Sequence, residues 1–327
     1  MRPLVWIALL CVCAHAEHRL HALGVTTKGW VVGAALLPGG IFVRQPSGEW
    51  INAGYRHPLM TGLAWLPGEP ETLYVAAGDG VIRIDAEGRW RVLTDETVTE
   101  LQDISAGPGG VLAFGHTAGF RISEDRGRTW REISAGLPRH YGKAIRIDRT
   151  SADRMVAGTE SGFYVSNDRG RTWHLAGAAG FQAMRVEQSP HDARFWLAVT
   201  QKGGIFRSTD GGLSFEATAR DPAAGRNLYD IAFDPADARR IAVCGWGPGV
   251  MISEDGGATW EPRNRGLPRP DVWSVAFDPD RPGRLYASVH EEALYVSEDA
   301  GRTWRVEGLP GSIIYKLAFV PAKGGAR

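Results

Sequence analysis

Ser253-Glu254-Asp255-Gly256-Gly257-Ala258-Thr259-Trp260 is one of five well-formed copies of a turn that this chain repeats. The others occupy residues 123–130, 166–173, 208–215 and 297–304, and the aromatic ends are Trp130, Trp173, Phe215, Trp260 and Trp304. Two weaker copies precede them and end in Trp50 and Trp90, so the period is 40 to 45 residues. Short segments rich in β-branched and aromatic residues, bounded by Gly, Pro or Asp, fill the space between turns. A repeat of that length built from short strands predicts an all-β chain, a β-propeller with one blade per repeat.

The repeat also aligns internally. Residues 60–67, 101–108, 144–151, 183–190, 228–235, 272–279 and 314–321 line up as the first strand, A, of four antiparallel strands A to D counted outward from the axis. Their fourth position is always aliphatic: Leu63, Ile104, Ile147, Val186, Ile231, Val275 and Leu317. Blade faces pack on one another, so such a column is expected to be buried. The last A strand has no B, C and D strands after it, whereas segments 30–37, 40–43 and 49–52 have no A strand before them. The expectation is seven four-stranded blades over residues 29–321, closed by the C-terminal strand pairing with the N-terminal three, which removes exposed edges.

At 327 residues with 37 basic and 37 acidic side chains, the chain has no global field that would hold it on nucleic acid. Arg2, an apolar run over 4–13 and Ala14-His15-Ala16 read as a signal peptide of residues 1–16, too short to span a membrane. Residues 17–28 read as a short lead and 322–327 as a tail. Cys11 and Cys13 raise a lipoprotein alternative, but Leu10 and Val12 precede them where a small residue is usual. After cleavage Cys244 is the one remaining thiol, so no internal disulfide forms, and export without disulfides fits the bacterial periplasm. Cys244 itself, beside Gly245, reads as a buried apolar residue.

Within the turn, Asp and Ser oxygens accept from nearby backbone N–H groups and Gly supplies positive φ. Asp125, Asp168, Asp210, Asp255 and Asp299 are therefore read as structural, as are the five aromatic ends. None of these turns offers the alternating oxygen ligands of a calcium loop, and neither metal nor cofactor is expected.

The repeated Ser-x-Asp-x-Gly-x-Thr-Trp resembles the Asp-box (BNR) repeats of sialidases and related propellers. That resemblance implies structural hairpins on the rim, away from any substrate. Length, blade count and mode of closure also resemble the photosystem II stability and assembly factor family. Its members are exported scaffolds that bind membrane-protein segments and contain no active site.

Any site is then expected on the opposite face, among the D–A and B–C loops. Those loops carry Arg56, Arg139, His140, Tyr141, Lys143, Arg226, Arg263, Arg265, Arg269, Trp246 and His290, with Trp273 at the start of an A strand. The third position of strand A is polar: Asp103, Arg146, Arg185, Asp230, Ser274 and Lys316. It reads either as a ring of ion pairs or as Arg146, Arg185 and Lys316 facing an anion. His116 and His174 are expected to do no more than meet solvent.

The leading reading is a non-catalytic, monomeric scaffold for a protein partner in the envelope. The alternatives are a sialidase-like glycoside hydrolase and a glycan binder that stacks sugars on Trp246 and Trp273. For hydrolysis the Phe/Tyr-Arg-Ile-Pro motif of sialidases is incomplete, and Asp148 with Glu187 is the one candidate carboxylate pair.

Overall fold

The computed structural model describes residues 18–26, 39–138, 141–218 and 222–322. Among them are 28 strands and one short 3-10 turn, Pro108–Gly110. The strands form antiparallel units of four. Five units are separate sheets, and one eight-stranded sheet consists of two units joined at Gln201 and Asn227.

The A strands are Met60–Leu66, Asp103–Ala106, Ala144–Asp148, Gln182–Gln188, Asn227–Phe233, Val272–Phe277 and Ser312–Pro321. They neighbour one another in chain order, and Ser312–Pro321 touches both Val272–Phe277 and Met60–Leu66. The aliphatic fourth column is buried throughout, none of its members more than 8% exposed. Each such side chain contributes about 1.5–3 kcal/mol through burial, so this column helps hold neighbouring units together.

One expectation is corrected. Ser312–Pro321 pairs with His18–Thr26, which pairs with Gly39–Arg44 and then Trp50–Asn52. The stretch read as a lead, 17–28, thus supplies strand B of this unit, while 30–37 lies outside the described residues. Leu20, Ala22, Leu23 and Val25 are buried. Gly24 lets the two backbones approach, because a Cβ there would sit 2.1 Å from the Ile313 carbonyl oxygen. With three polar residues among its first four and a glycine inside, the strand lacks the β-branched signature.

The five hairpins are built alike. In the turn at Asp168, Oδ1 accepts from Ser166 Oγ and from the N–H groups of Arg171 and Thr172, at 2.8 to 2.9 Å. Oδ2 accepts from Thr172 Oγ1 at 2.6 Å, and Gly170 N–H donates to Ser166 Oγ at 2.8 Å. Hydrogen bonds from the threonine hydroxyls hold Asp125 and Asp168 at about 2, well below the usual carboxylate range.

The aromatic ends reach further than their own turns. Trp130, Trp173 and Trp304 donate their indole N–H groups to the carbonyls of Leu93, Ile133 and Arg263 in the preceding unit, at 2.6 to 3.1 Å. Each such ring couples two neighbouring sheets. Of the weaker copies, Trp50 is half-buried, but Trp90 is 52% exposed and meets Tyr55 edge-on.

Candidate functional site: the channel and its mouth

Strand A runs from the D–A loop toward the hairpin end, so the C–D hairpins lie at one end of the channel. The D–A and B–C loops form the mouth at the other. Between the two ends the third column makes a layer of charge. Arg185 contacts Asp103 at 2.8 Å and Asp230 at 3.4 Å, and Lys316 contacts Asp230 at 2.9 Å. Arg146 contacts Glu187 at 2.6 Å and lies 3.8 Å from Asp103. Three cations thus face three carboxylates.

Asp230 is fully buried, which alone would raise its pKa, yet Lys316 and Arg185 hold it below the usual carboxylate range. Burial opposes charge on Arg185 too, but Asp103 and Asp230 keep it a cation. Ser274 Oγ donates to Asp230 at 2.5 Å and accepts the Leu317 N–H at 2.9 Å. Asp103 Oδ2 also accepts the Ile145 N–H at 3.1 Å. The layer therefore ties successive A strands together through matched pairs.

Asp148 and Glu187 are engaged separately. Asp148 is buried and accepts from Thr150 N–H and Oγ1, both at 2.7 Å, whereas Glu187 is held by Arg146. Beside the charge layer, toward the hairpin end, lies a cavity of about 350 Å³ whose lining includes Trp65, Phe233, Phe277 and Phe319 together with Arg146 and Glu187.

At the mouth a different column matters. Thr61, Met184, Tyr229, Trp273 and Tyr315 are each skipped in the ladder, because a β-bulge separates the paired residues on either side. A bulge re-aims the extra side chain, and these five converge at the channel mouth with Gln102, Lys143 and Arg185 around a pocket of about 70 Å³. Strand Ala144–Asp148 has no bulge at this level. Ile145, which alignment places in the column, is fully buried, and Lys143 takes the position instead.

Three consecutive units give the mouth an aromatic wall. Tyr229 stacks on Trp273 at 4.5 Å, and Tyr315 and Trp246 meet Trp273 edge-on at 5.8 and 5.7 Å. Trp273 donates its indole N–H to His290 Nδ1 at 2.8 Å. With one face covered by Tyr229, Trp273 is a wall more than an open platform; Trp246 is 39% exposed.

The loop arginines divide. Arg56 and Arg226 are exposed, and Arg269 pairs with Glu292 at 2.8 Å. Arg265 is exposed too, but its carbonyl accepts the Trp304 backbone N–H at 3.0 Å beside the hairpin of the next unit. Arg263 does not reach the mouth: it is buried and bonds Glu254 and the Ala300 carbonyl, at 3.0 and 2.9 Å, on the hairpin side. Arg139 and His140 lie outside the described residues, and Tyr141 is half-buried. His116 is not a solvent-facing histidine; it is 4% exposed against Phe114, and burial lowers its proton affinity. His174 is exposed. Cys244 is fully buried, and burial pushes its thiol well up. Among the described residues no group of three or more His, Cys, Asp or Glu is placed to hold a metal.

Residues 164–175 match the BNR/Asp-box repeat model. Among curated proteins, none matches this chain by sequence. Similar solved structures include YCF48 from Cyanidioschyzon merolae, 18% identical, covering 76% of this chain and 84% of that one at a TM-score of 0.57. A structure of YCF48 bound to D1 peptide is 17% identical, with coverages of 77% and 84% and a TM-score of 0.58. The GH74 xyloglucanase from Xanthomonas campestris is 18% identical at a TM-score of 0.62, covering 88% of this chain but 46% of its own. The chain thus spans less than half the length of the GH74 structures it matches. These are likenesses of fold: the chain carries an Asp-box repeat, and its all-β architecture is similar to that of YCF48 and of the GH74 propellers.

Proposed function

We propose that this chain is a seven-bladed β-propeller, closed by Ser312–Pro321 on His18–Thr26, that acts as an exported, non-catalytic scaffold. Its mouth face binds a protein partner, a membrane-protein segment or a subunit of an envelope complex. One contrast carries this reading. The channel carboxylates Asp103, Asp148, Glu187 and Asp230 each already receive a cation or a hydroxyl donor, whereas the mouth presents exposed Trp246, Arg56 and Arg226. Aromatic and arginine side chains are the groups that dominate protein interfaces. The YCF48 structure bound to D1 peptide supports a peptide-binding use of this architecture.

The test is capture from the envelope fraction with tagged protein. Arg56→Ala combined with Arg226→Ala is expected to leave thermal stability nearly unchanged while reducing capture of the partner. Equal capture by the double variant sinks the mouth-face assignment.

The second reading is a glycoside hydrolase, favoured by the GH74 likeness and the cavity of about 350 Å³ with Glu187 in its wall. Turnover of xyloglucan or a sialoside that disappears in Glu187→Gln would establish it over the scaffold.

A further inference from the structure

Lys143 stands apart from every other cation that lines the channel. Arg146, Arg185 and Lys316 each have carboxylate partners within 4.0 Å. Lys143 Nζ has one protein partner among the described residues, the neutral Gln102 Oε1 at 2.8 Å. An ammonium has three donors, so two remain at the pocket. Gln102 donates one of its two amide N–H groups to the Glu100 carbonyl at 2.9 Å. The pocket of about 70 Å³ holds about two waters at ~30 Å³ each, or one carboxylate group. Opposite Lys143 stand Tyr229, Trp273 and Tyr315, which offer apolar surface.

We propose that Lys143 anchors a pocket for a single carboxylate carried on the flexible tip of a partner chain, with the tip's methylenes lying against the Tyr229–Trp273–Tyr315 wall. An Asp or Glu side chain and a free C-terminus share this chemistry. Of the two cations at this pocket, Arg185 is already paired with Asp103 and Asp230. One uncompensated cation with one aromatic wall fits a monoanion of that size better than a phosphate group, which calls for several donors. The proposal rests on the mouth being a partner-binding face and names what that face recognises.

Electrostatics agree with the geometry. Burial and the neighbouring Arg185 guanidinium bring Lys143 down to about 8, while Asp103 offsets them in part. Burial pushes the Tyr229 and Tyr315 phenols upward, so both stay neutral through this range. A carboxylate on Nζ favours the protonated amine. Affinity is therefore full below about 8 and falls about tenfold per pH unit once the free amine loses its proton.

The experiment is an NMR titration of side-chain-labelled lysine in the full protein, with the Lys143 signal identified by its loss in Lys143→Gln. Three probes are used: an acetylated Gly-Gly-Glu amide, an acetylated Gly-Gly-Gly with free C-terminus, and an acetylated Gly-Gly-Gln amide. Binding of either acid, at least tenfold tighter than the glutamine peptide and lost above about pH 8, is expected, and the two acids tell the source of the carboxylate. Lys143→Gln should lose this binding, and Lys143→Arg should keep it without the pH dependence.

Equal affinity for acid and glutamine peptides overturns the proposal, as does unchanged acid binding in Lys143→Gln at an unchanged melting temperature. Acid binding without any partner captured from the envelope leaves the pocket standing and sinks the scaffold reading. Capture that is indifferent to Lys143→Gln, with no acid binding, sinks the pocket alone.

Discussion

The two ends of the channel use similar residues to opposite effect. At the hairpin end every Asp-box carboxylate is saturated by its own turn, and Trp130, Trp173 and Trp304 give their N–H groups to the neighbouring sheet. At the mouth Lys143 has spare donors, Trp246 is exposed, and Arg56 and Arg226 face solvent. The recurring motif is therefore architecture, and the irregular residues at the other end hold the unused chemistry. Saturation distinguishes the two better than residue type does.

That contrast can be broken in several ways. Removing residues 316–327 takes away most of the strand that pairs with His18–Thr26. It should abolish the cooperative thermal transition, and a truncated chain that melts within a few degrees of the parent would show that this strand pairing is dispensable. Next in size is Arg185→Met, which leaves Asp103 and the fully buried Asp230 short of a cation. Breaking a buried pair of this kind costs about 3–5 kcal/mol, to be read from urea unfolding.

A single hairpin is worth less. Asp168→Ala should cost about 1 kcal/mol, the net worth of a hydrogen-bonded anchor at an exposed turn. Its pH dependence has a definite sign. The folded carboxylates of Asp125 and Asp168 sit at about 2, below the unfolded value. Their contribution is thus complete above about pH 4 and is lost as pH falls through 2. Replacing both by Asn should flatten the acid limb of the stability curve; an unchanged limb would mean that these turns do not govern it. Smallest of all is Trp246→Ala, expected to lie within about 0.5 kcal/mol of the parent. A larger loss would move that ring from the surface chemistry of the mouth to its framework.

The hairpin end was legible in the sequence because its hydrogen bonds are local: Ser166, Asp168, Gly170 and Thr172 lie within seven residues and recur at a fixed period. The aliphatic column of strand A was legible for the same reason. Strand His18–Thr26 was not, since its partner Ser312–Pro321 is at the far end of the chain and its own residues carry little β signal. The mouth ring was hidden by the bulges. A column alignment assumes uniform pairing, and it puts Ile145 where the missing bulge puts Lys143. The third column was visible as charged residues, but whether they pair with one another or face a ligand depends on distances between sheets that no local pattern encodes.

The pairing of His18 with Pro321 also constrains when the protein becomes a protein. Synthesis delivers strand B of that unit before strand A, so the ladder that joins them must wait until every strand between them has been made. Until then Leu20, Ala22 and Leu23 have no inner strand to cover them, and contacts of such long sequence separation form slowly. A chain cut after residue 315 would leave the inner edge of His18–Thr26 open, and pairing between copies through that edge would be its readiest escape.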